Sequence, residues 1–181
     1  NFFRADAAPW LQYQGGRDMD TSVVDDIVDV ELEQIGTFET GAVKHHVNAG
    51  LGYRYKYTTW GYINQGEAVE QQHANAFLQE QALVGPVRMV GSLRLDKHPL
   101  IALKETISPR GAVVVRVAER TSVRATAGTS FRAPSQMESY TDLNQPTSSD
   151  GAFIRTKGDV NIVPERVFTT ELGVHDESTS F

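Results

Sequence analysis

Residues 43–59 read VKHHVNAGLGYRYKYTT, and the reading of this run decides the fold. Val47, Ala49, Leu51, Tyr53, Tyr55 and Tyr57 share one parity, while Asn48, Gly50, Gly52, Arg54 and Lys56 share the other. Successive side chains of a strand point to opposite faces, so a period of two gathers apolar groups on one face and polar or very small ones on the other. Wound as a helix, the same run would scatter Tyr, Arg and Lys around every face. The period predicts a strand.

The alternation spreads outward from there. Over 87–96, Val87, Met89, Leu93 and Leu95 alternate with Arg88, Ser92, Arg94 and Asp96. Over 122–132, Val123, Ala125, Ala127 and Phe131 alternate with Arg124, Thr126, Gly128 and Ser130, and in 112–118 Val113, Val115 and Val117 oppose Arg116. Weaker patterns over 29–38, 74–84 and 165–174 bring the expected strands to seven. The 74–84 stretch is rich in Gln and Ala, so propensity alone would accept a helix; its neighbours make it a strand.

The connections alternate too. Glu39-Thr40-Gly41, Gly85-Pro86 and Glu119-Arg120-Thr121 are short, whereas 60–73, 97–111 and 133–164 are long. In an antiparallel meander this puts every short turn at one end and every long loop at the other, the asymmetry of outer-membrane barrels. The Ser/Thr/Asp/Gly-rich stretch 142–151 reads as a mobile loop tip.

Composition sets the outer bounds. The 181 residues carry 17 Lys plus Arg against 23 Asp plus Glu, a net charge of −6, which argues against a nucleic-acid partner. The absence of cysteine removes disulfide scaffolds, thiolate metal sites and Cys nucleophiles. No run approaches the ~18 apolar residues of a membrane helix; Ala112 to Val115 is cut by Arg116. The chain starts at Asn1 without an initiator Met or a signal segment, so a mature product or an excised piece is expected, with Phe181 a truncation point.

Alternation by itself leaves open a soluble antiparallel β-domain, which buries its apolar parity, and a barrel in lipid, which turns it outward. Tyr53, Tyr55 and Tyr57, with Trp60 and Tyr62 beyond them toward the long-loop end, favour the barrel, because aromatic girdles sit at the lipid–water boundary.

Ser92-Leu93-Arg94-Leu95-Asp96, Ser108-Pro109-Arg110, Ser130-Phe131-Arg132-Ala133-Pro134 with Glu138 and Tyr140, and then Val163-Pro164-Glu165 and Glu171-Leu172-Gly173 form an ordered series of landmarks. Gly50-Leu51-Gly52-Tyr53 and Phe77-Leu78-Gln79-Glu80 precede them. In this order and spacing they resemble the barrel of TonB-dependent outer-membrane receptors, over about residues 29–175. Locally, Pro134 cannot donate to a ladder and ends the strand before it, and Pro164 opens the returning strand. Arg94, Arg124 and Glu171 fall on the polar parity, where mutual pairing inside a barrel is expected.

The resemblance implies an all-β fold, an antiparallel up-and-down meander that is part of a large transmembrane β-barrel in the outer membrane of a Gram-negative cell. Such a transporter needs about 22 strands, so residues 1–181 are expected to be a partial barrel, either a fragment or a chain that pairs with others. The family's plug domain and TonB-contacting segment are not visible in it. The implied function is active transport: a receptor that takes up a scarce nutrient, such as a ferric siderophore, energised by the TonB-ExbB-ExbD complex through the plug and surrounded by outer-membrane lipid. The alternatives are a structural or adhesive outer-membrane β-protein, a soluble antiparallel β-domain, and a barrel-borne enzyme.

Trp60, Tyr62, Arg132 and Tyr140 are the candidate ligand contacts in the loops, since aromatics and Arg suit a flat, anionic chelate. No metal site is expected: His45 and His46 are adjacent on a strand and point apart, while His73, His98 and His175 have no close partner at ligand spacing. Asp25, Asp26, Asp29, Glu31 and Glu33 read as a solvated acidic rim, not a calcium loop. Neither a nucleophile elbow nor a phosphate-cradling glycine loop is present, so no catalytic residue, cofactor or enzymatic activity is expected.

Overall fold

The computed structural model describes residues 2–7, 22–146 and 153–177. Seven long strands follow the chain: β2 (Val23–Thr40), β3 (Val43–Trp60), β4 (Val69–Val84), β5 (Val87–Lys97), β6 (Ser108–Arg116), β7 (Thr121–Arg132) and β10 (Glu165–Asp176). With β1 (Phe2–Ala7) on the edge of β2 they form one eight-stranded sheet in the order β1-β2-β3-β4-β5-β6-β7-β10. Every neighbouring pair is antiparallel. The sheet is an open meander. β2 and β3 each run 18 residues, well beyond the ~9–11 that a tilted strand needs to cross a bilayer.

The short turns follow from their glycines. Thr40 pairs with Val43 and Val84 with Val87, leaving Gly41-Ala42 and Gly85-Pro86 as two-residue connections. Gly41 (φ 60°) and Gly85 (φ 53°) hold the left-handed backbone at the first turn position, the feature of type II′ hairpins whose twist matches the strands.

Register sorts the side chains onto two faces. Leu32, Leu51, Ala76 and Leu95 line up across four strands, and so do Ala49, Leu78, Leu93 and Pro109. On the opposite face Asp29, Arg54 and His73 align, as do Glu33, Gly50, Phe77 and Arg94. Gly50 is there because of Phe77: a Cβ on Gly50 would lie 2.4 Å from the Phe77 ring and 2.9 Å from the Leu32 carbonyl oxygen.

Nothing among the described residues covers the apolar face. Leu51 is 61% and Leu172 85% exposed, and the buried apolar side chains are Ile63, Val69 and Ile101, all at the long-loop end. A sandwich would have sealed Leu51, Leu93 and Leu172 between two layers; the soluble-domain alternative therefore fails on packing.

The expected strands over 43–59, 87–96 and 122–132 are present with their parities, and 74–84 is the distal part of β4. Three features differ from expectation. β1 adds a strand to the edge. The stretch 142–151 begins as β8 (Asp142–Pro146), paired with β9 (Phe153–Lys157) in a separate hairpin, so its first half is ordered by a ladder; residues 147–151 lie outside the described residues, as does Phe181. Finally, a short helix, α1 (Gln136–Tyr140), follows β7.

Candidate functional site

The long connections fold together at one end of the sheet. α1 starts at a capping box: the Glu138 N–H donates to Ser135 Oγ at 3.2 Å and the Ser135 N–H donates to Glu138 Oε2 at 2.7 Å. Gln136 then reaches down to the polar face, donating to Thr58 Oγ1 at 3.2 Å and Gln71 Oε1 at 3.3 Å, and Thr58 donates to Asp25 Oδ1 at 2.5 Å. Thr58 and Gln71 are both buried by this contact. Fully buried Ile63 bridges Thr141, and the Asp142 N–H donates to the Tyr62 carbonyl at 3.1 Å, so the β3–β4 loop is stitched to the junction between α1 and β8.

Charge clamps complete the platform. Asp142 takes both arms of Arg155, at 2.9 and 2.8 Å, and Gln65 at 2.9 Å. The Arg155 guanidinium, and after it the Gln65 amide, hold the Asp142 carboxyl down at about 2, and Asp142 raises Arg155 in turn. Glu138 is likewise lowered to about 2, first by Arg132 and then by Ser135. Glu105 approaches Arg166 at 3.7 Å and ties the β5–β6 loop to β10.

The four sequence candidates fare differently. Trp60 and Tyr62 meet edge to face, with ring centroids 5.2 Å apart. Tyr140, the last residue of α1, adjoins the Ile63–Thr141 bridge, which brings its segment beside theirs. Arg132 is already engaged: it holds Glu138 at 3.1 and 3.2 Å and Glu165 at 3.0 Å through two nitrogens. Its guanidinium braces α1 against β10, and the side chain stays 53% exposed.

Below the platform the polar face is ionic. Arg54 clamps Asp29, Lys56 lies 3.4 Å from Asp25, Asn48 donates to Glu33 at 2.6 Å, Arg94 holds Asp96 at 2.9 Å, and Arg124 pairs with Glu171. The expected pairing of Arg94 and Arg124 is present. The acidic rim is corrected: Asp25, Asp29, Glu31 and Glu33 stand on the polar face of β2, which starts earlier than its alternation suggested, while Asp26 points to the other face, 3.8 Å from Arg4. Arg88, Arg110 and Arg116 occupy the same polar face and have no carboxylate partner among the described residues.

Two histidine expectations also change. His73 and His98 come together with ring centroids 4.9 Å apart, and His175 lies 3.4 Å from Glu177. Burial, and then His73, lowers His98 toward the neutral form. On the apolar face near the short turns, His45 stacks on Phe38 at 4.5 Å and contacts Glu80 at 2.7 Å. Among the described residues no group of three or more His, Asp or Glu is arranged to hold a metal ion.

The family described as "TonB dependent receptor-like, beta-barrel" matches residues 2–180. Among solved structures, the siderophore receptor PirA from Pseudomonas aeruginosa superposes with a TM-score of 0.76 at 15% identity, over 89% of this chain and 31% of that one. The siderophore receptor PirA from Acinetobacter baumannii gives 0.71 at 16% identity, over 91% of this chain and 26% of that one. The chain thus spans about a third or less of the receptors it matches. No curated protein matches it.

Proposed function

Because the chain belongs to the TonB-dependent receptor β-barrel family, a family of outer-membrane receptors of Gram-negative bacteria and not of enzymes, we propose that the receptor it builds takes up a scarce nutrient, such as a ferric siderophore, driven through TonB. The apolar face of β2–β10 meets lipid, the ionic face looks into the bore, and the folded loop end lies outside the cell. Trp60, Tyr62 and Tyr140 offer aromatic faces to the chelate there, with Arg132 as the brace that holds α1 in place. A plug, acted on by the TonB-ExbB-ExbD complex, supplies the energised step.

One observation carries this reading: among the described residues, a single-layered sheet has an uncovered apolar face, an ion-paired opposite face, and long connections that meet at one end. That arrangement suits a wall between lipid and a watery bore. The siderophore chemistry draws on the two relatives described as siderophore receptors.

The test is uptake of radiolabelled ferric siderophores by iron-starved cells carrying the full-length receptor, lacking it, or lacking TonB. Uptake should vanish in both deletions; equal accumulation in all three strains would overturn the proposal. A Trp60→Ala/Tyr62→Ala pair should weaken cell-surface binding of the chelate while the amount of receptor stays constant.

A further inference from the structure

At the opposite end of the polar face from the loop platform lies a cavity of about 480 Å³. Its lining includes Gly85 and Pro86 of the β4–β5 turn, Arg88, Arg116, Thr121 and Ser122. That volume falls in the range of small-molecule sites. We propose that this cavity is an oxyanion-binding station, in which Arg88, Arg116 and Ser122 hold a carboxylate- or phosphate-type group of a negatively charged cargo on its way through the bore. The inference rests on the uptake reading and deepens it by assigning the charge of the cargo.

Register brings the donors together. Arg88 stands opposite Val114, and Arg116 lies two residues along β6 from Val114 on the same face. This diagonal puts the two backbones ~7–8 Å apart, within reach of long side chains for a shared ligand. Ser122 faces Arg116 directly on β7. Two unshielded guanidinium groups at such a diagonal repel each other, and an oxyanion between them removes that repulsion while accepting charge-assisted hydrogen bonds from both.

The contrast with the rest of the wall makes the case. Arg54, Arg94 and Arg124 each clamp a carboxylate, as do Arg132 and Arg155 in the platform. Arg88 and Arg116 clamp none among the described residues. Two acids line the cavity beside Arg120: Glu177, 3.4 Å from His175, and Glu119, and neither makes an ion pair with Arg88 or Arg116 among the described residues. The Thr121 hydroxyl is spent on Asp176 at 3.1 Å, which leaves Ser122 as the neutral donor.

Two measurements decide it. The purified full-length receptor and its Arg88→Gln/Arg116→Gln variant are titrated with inorganic pyrophosphate at low ionic strength, with heat-modifiable mobility as the check on folding. Binding to the unaltered receptor should be at least tenfold tighter than to the variant, with Arg88→Lys/Arg116→Lys between the two. Equal binding overturns the proposal, and so does no binding to either protein, which would mean that another segment already covers the arginines. In cells, the Gln variant should bind a ferric hydroxycarboxylate chelate at the surface as before yet import it several-fold more slowly. An unchanged import rate overturns the station. Absence of import by the unaltered receptor sinks the uptake reading instead, and the pyrophosphate titration still decides the site.

Discussion

Ile63 is fully buried, whereas Leu172, no less apolar, is 85% exposed. The first belongs to the loop platform, where α1, the β8–β9 hairpin and the β3–β4 loop supply their own small core, capping box and charge clamps. The second belongs to the span, where side chains meet only neighbours on the same face of one sheet. The platform is organised like a water-soluble protein. The span relies on its ladder and its cross-strand pairs and leaves its apolar face uncovered, which in the proposed setting meets hydrocarbon while the other face meets water. On that reading the two regions differ in their solvent, and each sequence pattern answers to its own.

The sharpest way to break this comparison is to put a charge on the apolar face. Leu51→Arg, at the middle of β3, should cost about 2–4 kcal/mol of folding free energy in a bilayer, measured by refolding into vesicles. Ser92→Glu, on the ionic face opposite Arg110, should change it by no more than about 0.5 kcal/mol. Equal costs would mean that both faces meet the same medium. Next in size is Gly50→Ala, where the new Cβ meets the Phe77 ring and the Leu32 carbonyl; overpacking of this kind costs about 1–3 kcal/mol, and adding Phe77→Ala should recover part of it.

Within the platform, Ser135→Ala removes the cap of α1 and should cost about 1 kcal/mol locally. Hydrogen exchange should speed up over 136–141 and stay unchanged along β5–β7. The smallest effect is set by pH. Glu138 and Asp142 sit at about 2, below their ordinary values. Depressed carboxyls stabilise the folded platform above the ordinary carboxylate range and lose that contribution as pH falls through about 2. Limited proteolysis of the loop end should therefore accelerate between pH 5 and pH 2 while the span stays protected in lipid. Cleavage at one rate across that window would remove the clamps from the account.

Much of the span was legible from local rules. A period of two is a property of neighbouring residues, so β3, β5 and β7 and their faces could be read directly, as could the ends marked by Pro134 and Pro164. α1 carried a legible signal that went unread: Ser135 followed by Glu138 is a capping box. The His73–His98 contact was legible as well, because counting back along both strands from the Gly85-Pro86 turn sets them opposite one another.

Other features had no such signal. Arg132 and Glu165 are joined only because β7 pairs with β10 across a long connection, and nothing near Arg132 announces that its charge is taken. The edge strand β1 is likewise decided by pairing with β2 and not by its own short pattern.

The order of strands, their faces and the end at which the loops gather follow from the sequence alone, because alternation and turn chemistry act between near neighbours. Which arginines are spent on carboxylates, and which have none among the described residues, was decided by the tertiary structure, because ion pairs across a sheet depend on the register of residues far apart in the chain.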